Sequence, residues 1–282
     1  MTKKFACDIF TPESANVIIF GVPLGSDSAQ GIESVRDASW FVESFDIDKK
    51  INLLENVKLA DIGNLDFKNL EDITRQVKEI MEKNKIPIIL GGGHLLSLYS
   101  TQALEKNAKL IVFDAHSDLA DKYEDEKLVK LYQSWFDSRY NGATWLRRYC
   151  ETKNPENVCI IGLRSCDEDI MKFIEENNIL YFTPGQIREN IEKVKQKLKE
   201  FTKNSNLYIS VDIDVFDPSI APVTDYPEPD GIFFNDFRQL VNSIEGRISA
   251  LDVIGLQEVK NNEAFEFLVV KVIFELLGLL SK

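Results

Sequence analysis

The segment IVFDAHSDLAD (111–121) opens with three apolar residues and then sets Asp114, His116 and Asp118 two positions apart. Successive side chains on a strand point to opposite faces, so such a set sends three polar groups toward one point, where they need a cation or solvent. Read alone, the stretch fits equally well a strand that ends in a polar turn rich in Asp and Ser. The rest of the chain has to decide.

Apolar, β-branched runs recur at NVIIFGV (16–22), VKLADIG (57–63), IPIILGG (86–92), KLIVFDA (109–115), NVCIIGL (157–163), ILYF (179–182), LYISVDID (207–214) and ISALDVIGL (248–256). Runs apolar on both faces are what a parallel sheet covered by helices produces. Helices are expected at EDITRQVKEIMEK (71–83), across the Lys/Glu-rich 187–202 and at AFEFLVVKVIFELLGLL (264–280), the last apolar enough for the core or a subunit contact. The pattern predicts an α/β chain, a three-layer α/β/α single domain over 1–282 with a mostly parallel sheet of about eight strands. Residues 121–148 form a polar excursion with a short helix in EDEKLVKLYQSWFDS (124–138). In open α/β sheets ligands bind beyond the carboxyl ends of the strands.

The 282 residues carry 46 acidic and 33 basic side chains, a net charge of −13. That balance argues against nucleic-acid binding, which needs a basic surface. Cys7, Cys150, Cys159 and Cys166 show no CxxC spacing and read as reduced thiols. MTKKFACDIF lacks a long apolar region, and no apolar run approaches the ~18 residues of a membrane span, so a soluble cytoplasmic protein is expected.

Two further strand ends match the first. IILGGGH (88–94) runs into His94, and YISVDIDVFDP (208–218) supplies Asp212 and Asp214, again two apart. The only two histidines of the chain stand in these segments. Histidine with carboxylates and without cysteine suits Mn²⁺ better than a structural zinc site. Four carboxylates around one ion would leave their repulsion uncompensated, whereas two divalent ions neutralise them. His94, Asp114, His116, Asp118, Asp212 and Asp214 therefore predict a binuclear centre that turns water into a nucleophilic hydroxide near neutral pH.

DAHSD, SVDIDVFDPSIAP with PEPDG after it, the GGGH strand end and the acid in LQEV closely resemble the ureohydrolase family of arginases, agmatinases and formimidoylglutamases. DLADKYEDE (118–126) brings the likeness nearest to archaeal agmatinase-like members, and the resemblance runs from GVPLGSDSAQGIESVRDAS (21–39) to the last helix. It implies an arginase-like fold and two Mn²⁺ held by the six residues above, with Asp114 and Asp212 bridging and holding the hydroxide. It also implies that Glu258 pairs with the substrate guanidinium or amidine, and that the chain forms homo-oligomers, trimers or hexamers. The expected activity is hydrolysis of a C–N bond in a small guanidino compound, agmatine or a related amine, with release of urea. The alternatives are a formimidoylglutamase acting on a formimino substrate and releasing formamide, and a metal-binding member with little or no turnover.

Two departures bear on the chemistry. The family's GGDHS reads GGGHL here, with Gly93 for the acid and Leu95 for the serine. The histidine that shuttles a proton in arginases and agmatinases is absent: YNGATWLRR (140–148) puts Gly142, or Asn141, at its place. Arg164 in IIGLRS reads as a structural arginine pairing with loop carboxylates, Asp217 as a turn former, and Trp135, Phe136 and Trp145 as core packing. Specificity for the substrate tail is expected from 23–35, 119–142 and 223–232.

Overall fold

A computed structural model describes residues 4–6, 10–25, 27–52, 54, 57–222, 225–258 and 263–280. Cys7 lies outside them. Among these residues the eight apolar runs become eight strands of one sheet. They are β1 (Val17–Val22), β4 (Leu59–Asn64), β5 (Ile86–Gly91), β6 (Lys109–Phe113), β7 (Val158–Ile161), β8 (Leu180–Phe182), β9 (Asn206–Asp212) and β10 (Arg247–Ile254). A separate antiparallel hairpin pairs β2 (Phe45–Asp46) with β3 (Ile51–Asn52).

Strand order is β4-β1-β5-β10-β9-β6-β7-β8, and every pairing is parallel. Alternate residues feed two cores. Ile88, Leu90, Ile111, Phe113, Ile209 and Leu251 face one, while Ile89, Leu110, Val112, Tyr208 and Ala250 face the other. Helices α1 (Ser28–Ala38), α8 (Ile191–Thr202), α9 (Phe234–Asn242) and α10 (Glu263–Leu280) cover the first face. On the second lie α2 (Glu71–Glu82), α3 (Leu95–Thr101), α5 (Trp145–Thr152) and α6 (Glu168–Glu176). The apolar density of α10 is accounted for by the core, which takes Phe265, Val269, Val270, Ile273, Phe274 and Leu277. Among the described residues no helix is long and apolar enough to cross a membrane.

The structure amends the expected helices. The 187–202 stretch belongs to two helices, α7 (Pro184–Glu189) and α8, because Asn190 leaves helical geometry and caps α8 by accepting from Lys193 N–H. The excursion holds α4 (Glu126–Tyr132), capped by Asp125, followed by a short 3-10 turn.

One buried ion pair ties α1 to β4. Arg36 donates to Asp61 through Nε at 2.7 Å and Nη2 at 3.1 Å, with both side chains at 0% exposure. Asp61 also accepts the backbone N–H of Phe5 and Gly63, which keeps its carboxylate hydrogen-bonded inside the core.

Candidate metal centre

β5, β9 and β6 all end on the same side of the sheet near its middle, with β10 between β5 and β9. Their carboxyl ends deliver the residues of interest. β6 stops at Phe113 and β9 at Asp212, so Asp114, His116, Asp118 and Asp214 stand on turns beyond the strands. The convergence expected from alternation along a strand is instead produced by local side-chain bonds. Asp114 Oδ1 accepts His116 N–H at 2.7 Å and Asp212 Oδ1 accepts Asp214 N–H at 3.0 Å, two-residue turns that compete with the ladder. Asp118 completes the bend with φ at +51°, a left-handed conformation that Asp tolerates.

These bonds also aim the carboxylates. Asp214 Oδ1 accepts Ala115 N–H at 3.0 Å, and its Oδ2 lies 2.8 Å from His116 Nδ1. Trp145, fully buried as expected, does more than pack: its Nε1 donates to Asp118 Oδ2 at 2.7 Å and its ring lies 4.6 Å from that of His94.

His94 shows what the cluster is built to hold. Its Nε2 lies 2.9 Å from Ser210 Oγ, and Ser210 gives its own proton to Asp252 Oδ1 at 2.6 Å. The serine must therefore accept from His94, which puts the ring proton on Nε2 and leaves a lone pair on Nδ1. That lone pair faces Asp118 Oδ2 at 2.9 Å, Asp114 Oδ2 at 3.1 Å and Asp212 Oδ2 at 3.5 Å. His94 Nδ1 and Asp114 Oδ2 are buried with no hydrogen-bond partner. A lone pair ringed by carboxylates is repulsive unless a positive charge sits among them, so the donor set fits a metal ion.

Without an ion the positive charge among these carboxylates is a proton: burial works to lower the pKa of His94, but Asp114 and Asp118 override it and hold it well above the ordinary value, so a proton and a metal compete for Nδ1. At His116 burial is likewise outweighed, by Asp114 and Asp214, and the pKa is pushed up to about 12. Burial and the neighbouring acids raise Asp212, Asp118 and Asp214, the last to about 6. Two groups of ligand atoms result, His94 with Asp114 and Asp118, and Asp114 with His116 and Asp214, each within 4.8 Å. Asp114 belongs to both, so two ions could share it.

A cavity of about 420 Å³ opens over the cluster. All three segments expected to set specificity contribute to its wall, through Asp27 and Ser28, through Tyr123, Leu128, Leu131 and Tyr132, and through Asp225, Tyr226 and Glu228. Beyond the cluster the described lining residues include the acids Asp27, Asp167, Asp225 and Glu228, and neither Lys nor Arg. Asp225 is hydrogen-bonded to Gln257, and burial raises its carboxyl. Gly142 lines the cavity, whereas Asn141 is fully buried with its amide spent on the carbonyls of Tyr123, Asp137 and Ser138. Glu258 is exposed and stands just past the lining residues Gly255, Leu256 and Gln257.

Among the described residues Arg164 makes no ion pair with a carboxylate, contrary to the expectation from sequence. Its guanidinium donates to the backbone carbonyls of Gly162, Asp214, Val215, Phe216, Glu228 and Pro229, clamping the turn that carries Asp214 to the loop that carries Glu228. Asp217 caps its turn by accepting from Ser219, Asp230 and Gly231.

Sequence reading missed Ser210 and Asp252, although the signal was there. Tyr208, Ser210 and Asp212 alternate along one face of β9, and Asp252 is an acid within an apolar strand, where it needs the hydroxyls of Ser97, Tyr208 and Ser210. Residues that orient a ligating histidine typically matter ~10–100-fold in metal affinity. Ser210→Ala is expected to weaken Mn²⁺ binding by about that factor in calorimetric titration, and an unchanged affinity would contradict the tautomer assignment.

A parallel sheet whose central strand ends gather histidines and aspartates beneath an acidic cavity defines a metal-site hydrolase scaffold, and comparison with known proteins identifies which. The Arginase family model matches residues 15–278, and the chain belongs to the arginase family. It is 30% identical to the N(1)-aminopropylagmatine ureohydrolase of Thermococcus kodakarensis over 100% of this chain and 96% of that protein. With the agmatinase of Halalkalibacterium halodurans it shares 30% identity over 94% and 90%. The crystal structure of the agmatine ureohydrolase of Thermoplasma volcanium superposes with a TM-score of 0.82 at 26% identity, covering 98% of this chain and 93% of the other. The chain is thus a hydrolase of C–N bonds other than peptide bonds in linear amidines, a guanidino hydrolase by family.

Proposed function

We propose that the chain is a binuclear manganese enzyme that hydrolyses a guanidino-amine, agmatine or an aminopropyl-extended agmatine, to urea and an amine, in a reduced cytoplasmic setting and as one catalytic unit. His94, Asp114, His116, Asp118, Asp212 and Asp214 are the proposed ligands; Asp114, common to both groups of ligand atoms, and, by the family resemblance, Asp212 would be shared by two ions. The observation that carries the reading is the pairing of the buried His94 Nδ1, which has no hydrogen-bond partner, and the carboxylate cluster with a cavity wall that holds acids and no basic side chain among the described residues. A set of imidazole and carboxylate ligands without cysteine suits Mn²⁺. Two such ions, when bound, polarise the substrate and lower the pKa of water toward neutrality.

The protein's own residues do the remainder. Glu258 at the cavity edge is the proposed partner of the substrate guanidinium, and the acidic wall neutralises the cationic tail. An amino acid would bring a carboxylate into a cavity with no Arg or Lys among its described lining residues to receive it, which favours an amine over arginine or formiminoglutamate. Asp225, braced by Gln257 and partly buried, is the proposed partner of the distal ammonium.

The test is a comparison of kcat/KM for agmatine, N(1)-aminopropylagmatine, arginine and formiminoglutamate. The amines are expected to lead. Asp225→Asn is expected to raise KM for the preferred amine by about tenfold, the effect of losing one charge-assisted bond of ~1.5 kcal/mol, with kcat nearly kept. If Glu258→Gln has that effect instead, the two carboxylates exchange roles. Formamide as the sole product would move the chain to the formimino reading.

A further inference from the structure

Hydrolysis of a guanidine needs a proton for the leaving nitrogen, and both histidines of the chain point into the carboxylate cluster. Tyr132, the last residue of α4, is 1% exposed yet lines the cavity. Its ring stands against two glycines from separate segments. A Cβ on Gly93, the residue before His94, would lie 2.7 Å from the Tyr132 hydroxyl oxygen, and one on Gly142 would lie 2.9 Å from the same atom. Cβ atoms do not approach other atoms so closely, so the phenol fills the space that side chains at both positions would take. The hydroxyl therefore sits in the cavity wall beside His94. Its oxygen accepts Leu95 N–H at 3.3 Å. A phenol both donates and accepts, and this bond uses only the accepting side.

We propose that Tyr132 is a catalytic residue whose hydroxyl donates the proton taken up by the departing nitrogen; the inference rests on the guanidine-hydrolysis reading above. Water oxygen bonds to the amidine carbon, and the C–N bond to the leaving group breaks with its electron pair on nitrogen. The phenol proton passes to that nitrogen, and the proton shed by the attacking water returns to the phenolate. The second water proton goes to the remaining imine nitrogen, and the sum is guanidine plus water giving urea plus amine. Gly93 and Gly142 are glycines because the donor between them needs their space.

Tyr132→Phe keeps the ring and removes only the hydroxyl. Manganese-loaded variant and wild type are compared on agmatine and on an agmatine carrying two fluorines beside the leaving nitrogen, whose amine departs with less need of a proton. On agmatine the variant is expected to lose ~10²–10⁴-fold in kcat, the usual worth of a general acid, and the loss on the fluorinated substrate is expected to be smaller by roughly tenfold or more. KM, melting temperature and bound metal per chain are expected to stay at wild-type values. Equal losses on both substrates, an unchanged kcat on agmatine, or loss of metal from the variant overturns the assignment while leaving the hydrolase reading intact. A wild type inactive on both guanidines overturns that reading and the assignment with it.

Discussion

Asp114→Ala is expected to empty the centre of both ions and to lower turnover by more than the ~10²–10³-fold that follows the loss of one electrostatic stabiliser. The reason is geometric. Asp114 is the one side chain common to both groups of ligand atoms, and its Oδ2 faces His94 Nδ1 at 3.1 Å while its Oδ1 lies 3.6 Å from His116 Nδ1. Removing it subtracts a charge from each half and frees the His116 backbone N–H that shapes the turn. Metal content by mass spectrometry of the whole protein and urea production read the two effects separately. A variant that retains two ions and near-normal turnover would show that Asp114 is not shared.

The largest effect on stability is expected far from the chemistry. Arg36→Ala would leave the Asp61 side chain fully buried without its guanidinium partner, a change that typically costs about 3–5 kcal/mol. For a chain of this size that corresponds to a fall in melting temperature of roughly 6–20 °C, at ~2–4 °C per kcal/mol. Neither residue lines the cavity, so metal binding at a temperature where the variant is folded should be unaltered. The control is the double variant Arg36→Met with Asp61→Leu. Replacing both charges by apolar groups removes the desolvation cost along with the attraction and is expected to recover part of the loss, the backbone N–H groups of Phe5 and Gly63 being left without their acceptor. A single variant that melts with the wild type would mean that solvent reaches Asp61.

Much of the fold was legible because a parallel sheet imposes a strong demand on sequence. Each of its strands is covered on both faces, so NVIIFGV or KLIVFDA has to be apolar at odd and even positions alike, and all eight runs stand out. The convergence of His94 with the aspartates was legible too, since rare residues at three strand ends leave few other meeting places. Less visible was how the strands end. The hydrogen bonds that Asp114 and Asp212 accept from the backbone N–H two residues on decide that IVF and YISVD are strand while AHSD and IDV are turn, and apolar periodicity carries no record of such bonds. Asn190 splits 187–202 for a similar local reason. Contacts between distant segments were beyond reach. Nothing in EDEKLVKLYQ announces that its tyrosine will fill the space over Gly93 and Gly142, nor in AHSDL and GATWL that Trp145 will steady Asp118. Arg164 was legible as structural, yet its partners are carbonyls, which a sequence does not mark.

The most direct test of the central claim is to supply agmatine to the manganese-loaded protein in ¹⁸O-labelled water and to weigh the urea. The account predicts urea carrying one ¹⁸O atom, formed by the wild type and lost in Asp114→Ala. Unlabelled urea, no urea from any guanidino-amine despite two bound ions, or labelled urea made equally well by Asp114→Ala would contradict it.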